Sequence, residues 1–194
     1  MTTFLLIRHG ATDAVGHTIT GRLPGVHLNE LGRQQAVALP ERLKTFEISA
    51  LYSSPMERTL ESAEPLAQAL GLQVEVSQAL LEVDFGAWSG LTIEELQTRD
   101  DWKMYNSFRS SSRPPGGELI GEVQIRMVTE MDRLRLQHDG QTVALFSHAD
   151  PIKAALMHYL GMASDNLHRL EVSPASISEV RLDVWGVQVW GINL

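Results

Sequence analysis

Three short apolar runs, each ending abruptly in polar residues and leading into a helical pattern, constrain the fold of this chain more than any other feature. They are Phe4 to Ile7 followed by Arg8-His9-Gly10, Ala50-Leu51-Tyr52 followed by Ser53-Ser54-Pro55, and Val143 to Phe146 followed by Ser147-His148-Ala149-Asp150. Runs this short and this uniformly apolar read as strands buried on both faces of a parallel sheet, not as amphipathic helices. Open α/β sheets bind ligands at the carboxyl ends of such strands. The pattern therefore predicts one rim that carries Arg8, His9, Arg58 and His148. An arginine offers a planar fork of donors to phosphate or carboxylate, and an imidazole serves as nucleophile or proton carrier near neutral pH. Two of each on one rim describe an anion site, with a phosphoryl group as the obvious tetrahedral anion. A strand that merely ends in surface polar residues accounts for any one run, but not for three of the same design.

The rest of the chain alternates strand and helix without a linker, charge block or internal repeat. Asn29 is placed to cap a helix to about Lys44, with Leu31, Val37, Leu39 and Leu43 available for its core face and Pro40 expected to kink or interrupt it. A second helix from Met56 to Leu70 contains Pro65 and ends at Gly71. Gln73 to Val76 reads as a short strand, and a long helix that includes Met127 to Leu136 starts near Glu118. Asp150-Pro151 reads as an N-cap and N1 proline for a helix to about Leu160, ended by Gly161. The tail from Glu171 to Ile192 is rich in Val, Trp and Ile, with Trp185-Gly186 as a turn between two antiparallel edge strands. Residues from about 84 to 122 are less regular, and their Trp, Arg and Pro-Pro-Gly-Gly content predicts a lid over the strand ends. The expected architecture is one α/β domain over 1–194: a three-layer open, mostly parallel sheet with helices on both faces and an inserted lid.

Composition narrows the function classes. A chain of 194 residues is long enough for one domain with a sizeable core. It has no cysteine, which excludes disulfides and a thiol nucleophile and fits a reducing cytoplasm, the expected location. Met1-Thr2-Thr3-Phe4 places no basic region before an apolar stretch, so no signal peptide is expected. No apolar run approaches the roughly 20 residues of a membrane span. The formal net charge of -8 argues against a nucleic-acid-binding surface. It also requires any site for a phosphorylated ligand to be locally basic.

Further segments stand in a fixed order around the three strand ends: Ile7-Arg8-His9-Gly10-Ala11-Thr12, Thr20-Gly21-Arg22, Leu28 to Ala36, Tyr52 to Thr59, Leu81 to Gly90, Pro115-Gly116-Gly117-Glu118 and Phe146 to Asp150. Together they resemble the histidine phosphatase superfamily, the phosphoglycerate-mutase-like clan with an Arg-His-Gly motif, over nearly the whole chain. The resemblance implies a phosphomonoesterase of histidine acid phosphatase type acting on a small phosphorylated metabolite. It implies that His9 becomes phosphohistidine, that Arg8 and Arg58 clamp the non-bridging oxygens, and that His148 donates to the same oxygens. Glu82 matches the residue that protonates the leaving oxygen and then activates water. Its position after Leu80-Leu81 and before Phe85 places it in a partly apolar setting that would raise its pKa. Asp84 competes for that role, and the Leu-Glu-x-x-x-Gly spacing favours Glu82. Thr20, Gly21 and Arg22 resemble a substrate-binding loop, with Thr18 as an alternative hydroxyl.

No cofactor and no metal are implied, and His17, His27, His138, His158 and His168 match no metal-ligand spacing. The expected partner is a small phosphorylated molecule, with no nucleic acid and no membrane, and a homodimer is compatible with the sequence. Two alternatives stand beside hydrolysis. One is phosphoglycerate-mutase-type transfer, for which the insert offers Arg99, Lys103, Arg109 and Arg113 as binding cations. The other is a weakly catalytic phospho-ligand-binding module. The chain departs from the family at Val15, where an asparagine commonly bonds the phosphoryl group and for which Thr12, Thr18 or Thr20 are candidate substitutes. It departs again at Ala149-Asp150, where many members have glycine after the histidine.

Overall fold

The computed structural model describes residues 1–194, and the first apolar run forms β1 (Thr2–Arg8). Its side chains decide the layers. Phe4 and Leu6 point to one face and Leu5 and Ile7 to the other, and all four are fully buried. After β1 come α1 (Glu30–Arg42), β2 (Ile48–Ser53), α2 (Glu57–Leu70), β3 (Val74–Val76), α3 (Ile93–Gln97), α4 (Asp100–Ser107) and α5 (Ile120–Gln137). The chain closes with β4 (Thr142–Ser147), α6 (Ala149–Leu160), β5 (Ile177–Asp183) and β6 (Gly186–Gly191). The sheet order is β3-β2-β4-β1-β5-β6. The first four of these strands pair in parallel and the last two antiparallel. One face packs Leu5, Ile7, Ala144 and Phe146 against Leu39 of α1 and Ala63 and Leu66 of α2. The other packs Phe4, Leu6, Val143 and Leu145 against Met127, Met131 and Leu134 of α5 and Ile152 and Ala155 of α6. This is the α/β architecture that the alternating sequence predicts.

The insert has its own apolar centre. Phe85, Trp88, Leu96 and Tyr105 pack with Val123 of α5 and Ala154 and Met157 of α6, and Trp88 meets Tyr105 edge-on at 5.2 Å. The insert is thereby packed against the amino-terminal half of α5 and against α6. No helix is long and apolar enough to cross a membrane.

Several local expectations change. Of the four expected core residues of the first helix, Leu39 and Leu43 are buried, while Leu31 and Val37 are 56% and 68% exposed and Gly32 and Ala36 face inward in their place. Small residues face inward because α1 lies directly against the loop that follows β1. Pro40 and Pro65 each sit inside a helix that continues past them. Pro40 is two residues from the end of α1, where few hydrogen bonds remain to be lost. The N-cap position of α6 is His148, not Asp150, with Pro151 third in the helix. Any first-turn N–H lacks an intrahelical partner, so the proline costs nothing there. At the tail, only β6 is an edge strand, because β5 pairs with both β1 and β6.

The β1 loop is pinned to α1 by close backbone approach. Ala11 N–H donates to Gln35 Oε1 at 2.8 Å and Asn29 N–H donates to the Ala11 carbonyl at 3.0 Å. A Cβ on Gly32 would lie 2.1 Å from the Ala11 carbonyl oxygen. Alanine is favoured over glycine by up to about 1 kcal/mol in a helix, but this clash is with backbone that cannot swing away. Gly32→Ala is therefore expected to destabilise the fold by about 1–3 kcal/mol net, read from urea unfolding; a stabilised variant would mean that the loop is free of the helix.

Candidate active site

Three neighbouring strands end at the same level. Arg8 of β1 lies beside Ser147 of β4, and Ser53 of β2 beside Phe146. The ladder extends one residue further, with His9 N–H on the Ser147 carbonyl and Ser54 N–H on the Phe146 carbonyl, both at 3.0 Å. His9, His148 and Ser54 therefore emerge together, and the His9 and His148 rings stand edge-on at 5.3 Å. Arg58 joins them from the first turn of α2, only 1% exposed.

The hydrogen bonds assign each ring a job. His9 Nδ1 lies 2.7 Å from the Gly10 carbonyl, which can only accept, so Nδ1 carries the proton and Nε2 keeps its lone pair. Burial and the charges of Arg58 and Arg8 push the His9 pKa down to about 3, so the ring is neutral at pH 7. His148 is held well below its ordinary range by burial first and Arg58 next. Its Nε2 lies 2.9 Å from Ser54 Oγ. With the serine hydroxyl donating, the proton of His148 sits on Nδ1, a buried atom without a partner.

Arg58 Nη2 donates to the Gly21 carbonyl at 2.8 Å and Arg8 Nη1 to the Val172 carbonyl at 2.7 Å. Arg58 Nη1 and Arg8 Nε are buried without partners. With His148 Nδ1, three buried polar atoms without partners thus belong to residues that ring His9, and the two on the arginines are donors. Buried donors are rarely left so, and a tetrahedral oxyanion beside His9 has the acceptor oxygens they lack.

A cavity of about 160 Å³ opens onto this cluster, lined by Arg8, His9, Arg58, Glu82, Asp150 and Phe85 together with the loop residues Thr12, Ala14, Val15, Gly16, Thr18, Ile19, Thr20 and Gly21. Glu82 Oε1 accepts from Val83 N–H at 2.9 Å. Burial first, then the Asp150 charge, raise its pKa to about 7 against the opposing pull of Arg58 and Arg8. Asp84 is absent from the cavity wall; its Oδ1 accepts from Gly86 N–H at 2.9 Å. Val15 does line the cavity, with no hydrogen-bonding group, and all three candidate threonines line it too.

Arg22 is placed differently from Thr20 and Gly21. It is not part of the wall: its Nε donates to the Glu82 backbone carbonyl at 2.9 Å and its Nη2 to Glu118 Oε2 at 2.7 Å. Arg126 donates to the same Glu82 carbonyl at 3.1 Å and also pairs with Glu118. Sequence reasoning missed Arg126, which looks like any charged helix residue, and gave Glu118 no role beyond a motif. The four insert cations do not reach the cavity either. Arg99 pairs with Asp101, Lys103 with Asp100, Arg113 with Glu122 and Arg109 with Asp150.

The sequence profile of the histidine phosphatase superfamily (branch 1) matches residues 4–194, and the chain belongs to that family. It is 39% identical over 181 residues to the bifunctional protein Rv2228c of Mycobacterium tuberculosis, covering 91% of this chain and 49% of that protein. The chain thus spans about half the length of the curated relatives it matches at this level. Phosphoserine phosphatase 1 of Hydrogenobacter thermophilus is 28% identical, with 94% and 88% of the two chains covered. Among solved structures, the mycobacterial glucosyl-3-phosphoglycerate phosphatase Rv2419c in complex with VO3 superposes with a TM-score of 0.87 at 27% identity, covering 98% of each chain. Relatives of this chain named as phosphatases thus stand beside one named as a phosphoglycerate mutase, from Thermoplasma acidophilum at 26% identity.

The depressed His9 pKa has a measurable consequence for stability. The folded state takes up this proton only near pH 3, whereas an unfolded histidine takes it up near 6.5. Between these values the unfolded chain binds more protons, so the His9 contribution to stability falls as pH falls. At about 1.4 kcal/mol per pH unit, His9→Gln should gain about 2 kcal/mol relative to the wild type on going from pH 7 to pH 5. Urea unfolding in phosphate-free buffer reads the difference, and the raised Glu82, present in both proteins, cancels. Parallel pH profiles would mean that His9 is hydrated.

Proposed function

We propose that this chain is a phosphomonoesterase that hydrolyses a small phosphorylated metabolite through a phosphohistidine on His9. The observation that carries the reading is the neutral His9 ring, with Nδ1–H held by the Gly10 carbonyl and Nε2 free, ringed by two buried arginines. The Nε2 lone pair attacks phosphorus while the bond from phosphorus to the leaving oxygen breaks. The positive charge that develops on the ring is shared with Nδ1–H and stabilised by the Gly10 carbonyl. Arg8, Arg58 and His148 Nδ1–H stabilise the oxygens in transit, fixed in place before the reaction starts. The Glu82 carboxyl, half protonated near pH 7, gives its proton to the leaving alkoxide. In the second step Glu82 takes a proton from water as the water oxygen attacks phosphorus, and the N–P bond electrons return to Nε2. The sequence needs no metal ion, since the arginines supply the positive charge.

Hydrolysis is favoured over mutase-type transfer because no free cation is left to retain a sugar acid. All four insert cations are paired with carboxylates of the chain, and the only cations in the cavity wall are Arg8 and Arg58. Phosphoserine and glucosyl-3-phosphoglycerate are what relatives are named for, and hydrolysis of a small phosphomonoester is the reaction these names share.

Two experiments test the mechanism. With an aryl phosphate, whose leaving group needs little protonation, Glu82→Gln should accumulate acid-labile phosphate on the protein, and His9→Ala should neither label nor turn over. Label that persists in His9→Ala would move the nucleophile elsewhere. With an alkyl phosphate, kcat/KM should fall as pH rises through about 7, where Glu82 loses its proton, and this limb should vanish in Glu82→Gln. A limb unchanged in that variant would assign the acid to another group.

A further inference from the structure

The cavity wall has a one-sided charge inventory. Its cations are Arg8 and Arg58, both set against His9, and a phosphoryl dianion there would balance them. What remains is hydroxyl, apolar surface, the acid Glu82 and one further carboxylate, Asp150. Asp150 is second in α6, where the helix dipole favours an anion. Its Oδ2 lies 3.1 Å from Arg109 Nη1, while its Oδ1 accepts no hydrogen bond. Arg109 is 3% exposed and outside the cavity wall. It is held by Tyr105 Oη at 2.8 Å, by Asn106 Oδ1 at 3.0 Å and by the Tyr105 ring face at 4.0 Å. The lid thus holds one oxygen of Asp150, a residue of the cavity wall, and leaves the other without a hydrogen bond. The side chain of Asp150 is 18% exposed, enough to be met by a ligand and little enough for its charge to be weakly screened.

Resting on the hydrolase reading above, we propose that Asp150 is the specificity-determining residue of this cavity, and that the substrate class is a phosphomonoester whose alcohol half carries an ammonium group and no unpaired carboxylate. An ammonium finds the free Oδ1. A second carboxylate finds Asp150 and Glu82 and no cation. Arg109 does not offset this, because its charge is already paired and it lies behind the wall.

The test is phosphate release from three esters that differ only at one terminus: phosphoethanolamine, propyl phosphate and phosphoglycolate, with an aryl phosphate as reference. The wild type should rank them in that order, with kcat/KM for the ammonium ester on the order of tenfold or more above the carboxylate ester, the scale of one weakly screened charge contact. The ratio should shrink toward one as salt is raised. Asp150→Asn should bring the ammonium-to-propyl ratio toward one and, by leaving Arg109 without its counter-charge, raise phosphoglycolate relative to propyl phosphate. Ratios taken within one protein cancel effects on lid packing. The inhibition constants of the three esters against aryl phosphate hydrolysis, which do not depend on the basicity of the leaving alkoxide or on Glu82 as acid, should follow the same order and lose it in Asp150→Asn. Should Asp150→Asn fail to fold, the wild-type ranking and its salt dependence decide alone. Flat ratios in an enzyme that hydrolyses the aryl phosphate overturn the proposal and leave Asp150 as a pin between lid and α6. Release from none of the four esters overturns the hydrolase reading instead. The dissociation constants of the three alkyl esters, by calorimetry, then decide selectivity on the same criterion.

Discussion

The parallel pairing of β1, β4 and β2 is the constraint on which the rest of this structure depends. Three strands buried on both faces cannot set their register by alternation alone, because a one-residue slip exchanges one apolar face for another. Their ends set it. Thr3 pairs with Thr142 at the amino ends and Arg8 with Ser147 at the carboxyl ends, so a slip would carry a charged or polar residue level with Phe146, inside the sheet. The desolvation cost that forbids the slip also places His9, Ser54 and His148 at one height. The same residues that terminate the strands are those that line up for chemistry.

That arrangement leaves an unfavourable local state in the folded chain. Two guanidinium groups and two imidazoles are packed together in a protein whose overall charge is -8. Arg8 and Arg58 are met by the Val172 and Gly21 carbonyl dipoles, and the charge of Glu82 favours both. Three buried polar atoms around His9 still lack partners, at about 1–3 kcal/mol for each group left unsatisfied. The cores on both sides of the sheet stabilise the fold enough to tolerate this. The return is a pair of histidines kept neutral by burial first and by the neighbouring arginine charges next, with buried polar atoms around them still open to a partner.

Much of this was legible in the chain, and what was not has a physical explanation. Apolar runs bounded by Gly, Ser or His report strands and their ends directly, so Arg8, His9, Arg58 and His148 could be placed on one rim without coordinates. Glu82 could be separated from Asp84, and the cavity wall holds the first and not the second. The inward face of α1 was half legible: Leu39 and Leu43 are buried, but hydrophobic periodicity also points to Leu31 and Val37, whereas close backbone approach at Ala11 demands Gly32. Pro40 was read as a kink or interruption from a local rule, whereas α1 continues past it, and the helix read through Pro65 to Leu70 is present. The insert cations looked available because a sequence shows charges and not their partners. Arg22 was read as a substrate contact for the same reason.

The group around Glu118 shows how position and acidity are set separately at one residue. An acid that must hold a proton near pH 7 cannot have guanidinium groups on its carboxylate, since each would pull its pKa down. Arg22 and Arg126 instead donate to the Glu82 backbone carbonyl, and their charge is met by Glu118, whose own pKa is lowered through Arg126 and Arg22. The largest influences on the Glu82 carboxyl are then burial and Asp150, which raise its pKa. The main chain of Glu82 is fixed by two arginines that make no contact with its carboxyl, while two others, Arg58 and Arg8, pull its pKa down against burial and Asp150. Exchanging the two pairs would fix the residue equally well and remove the acid.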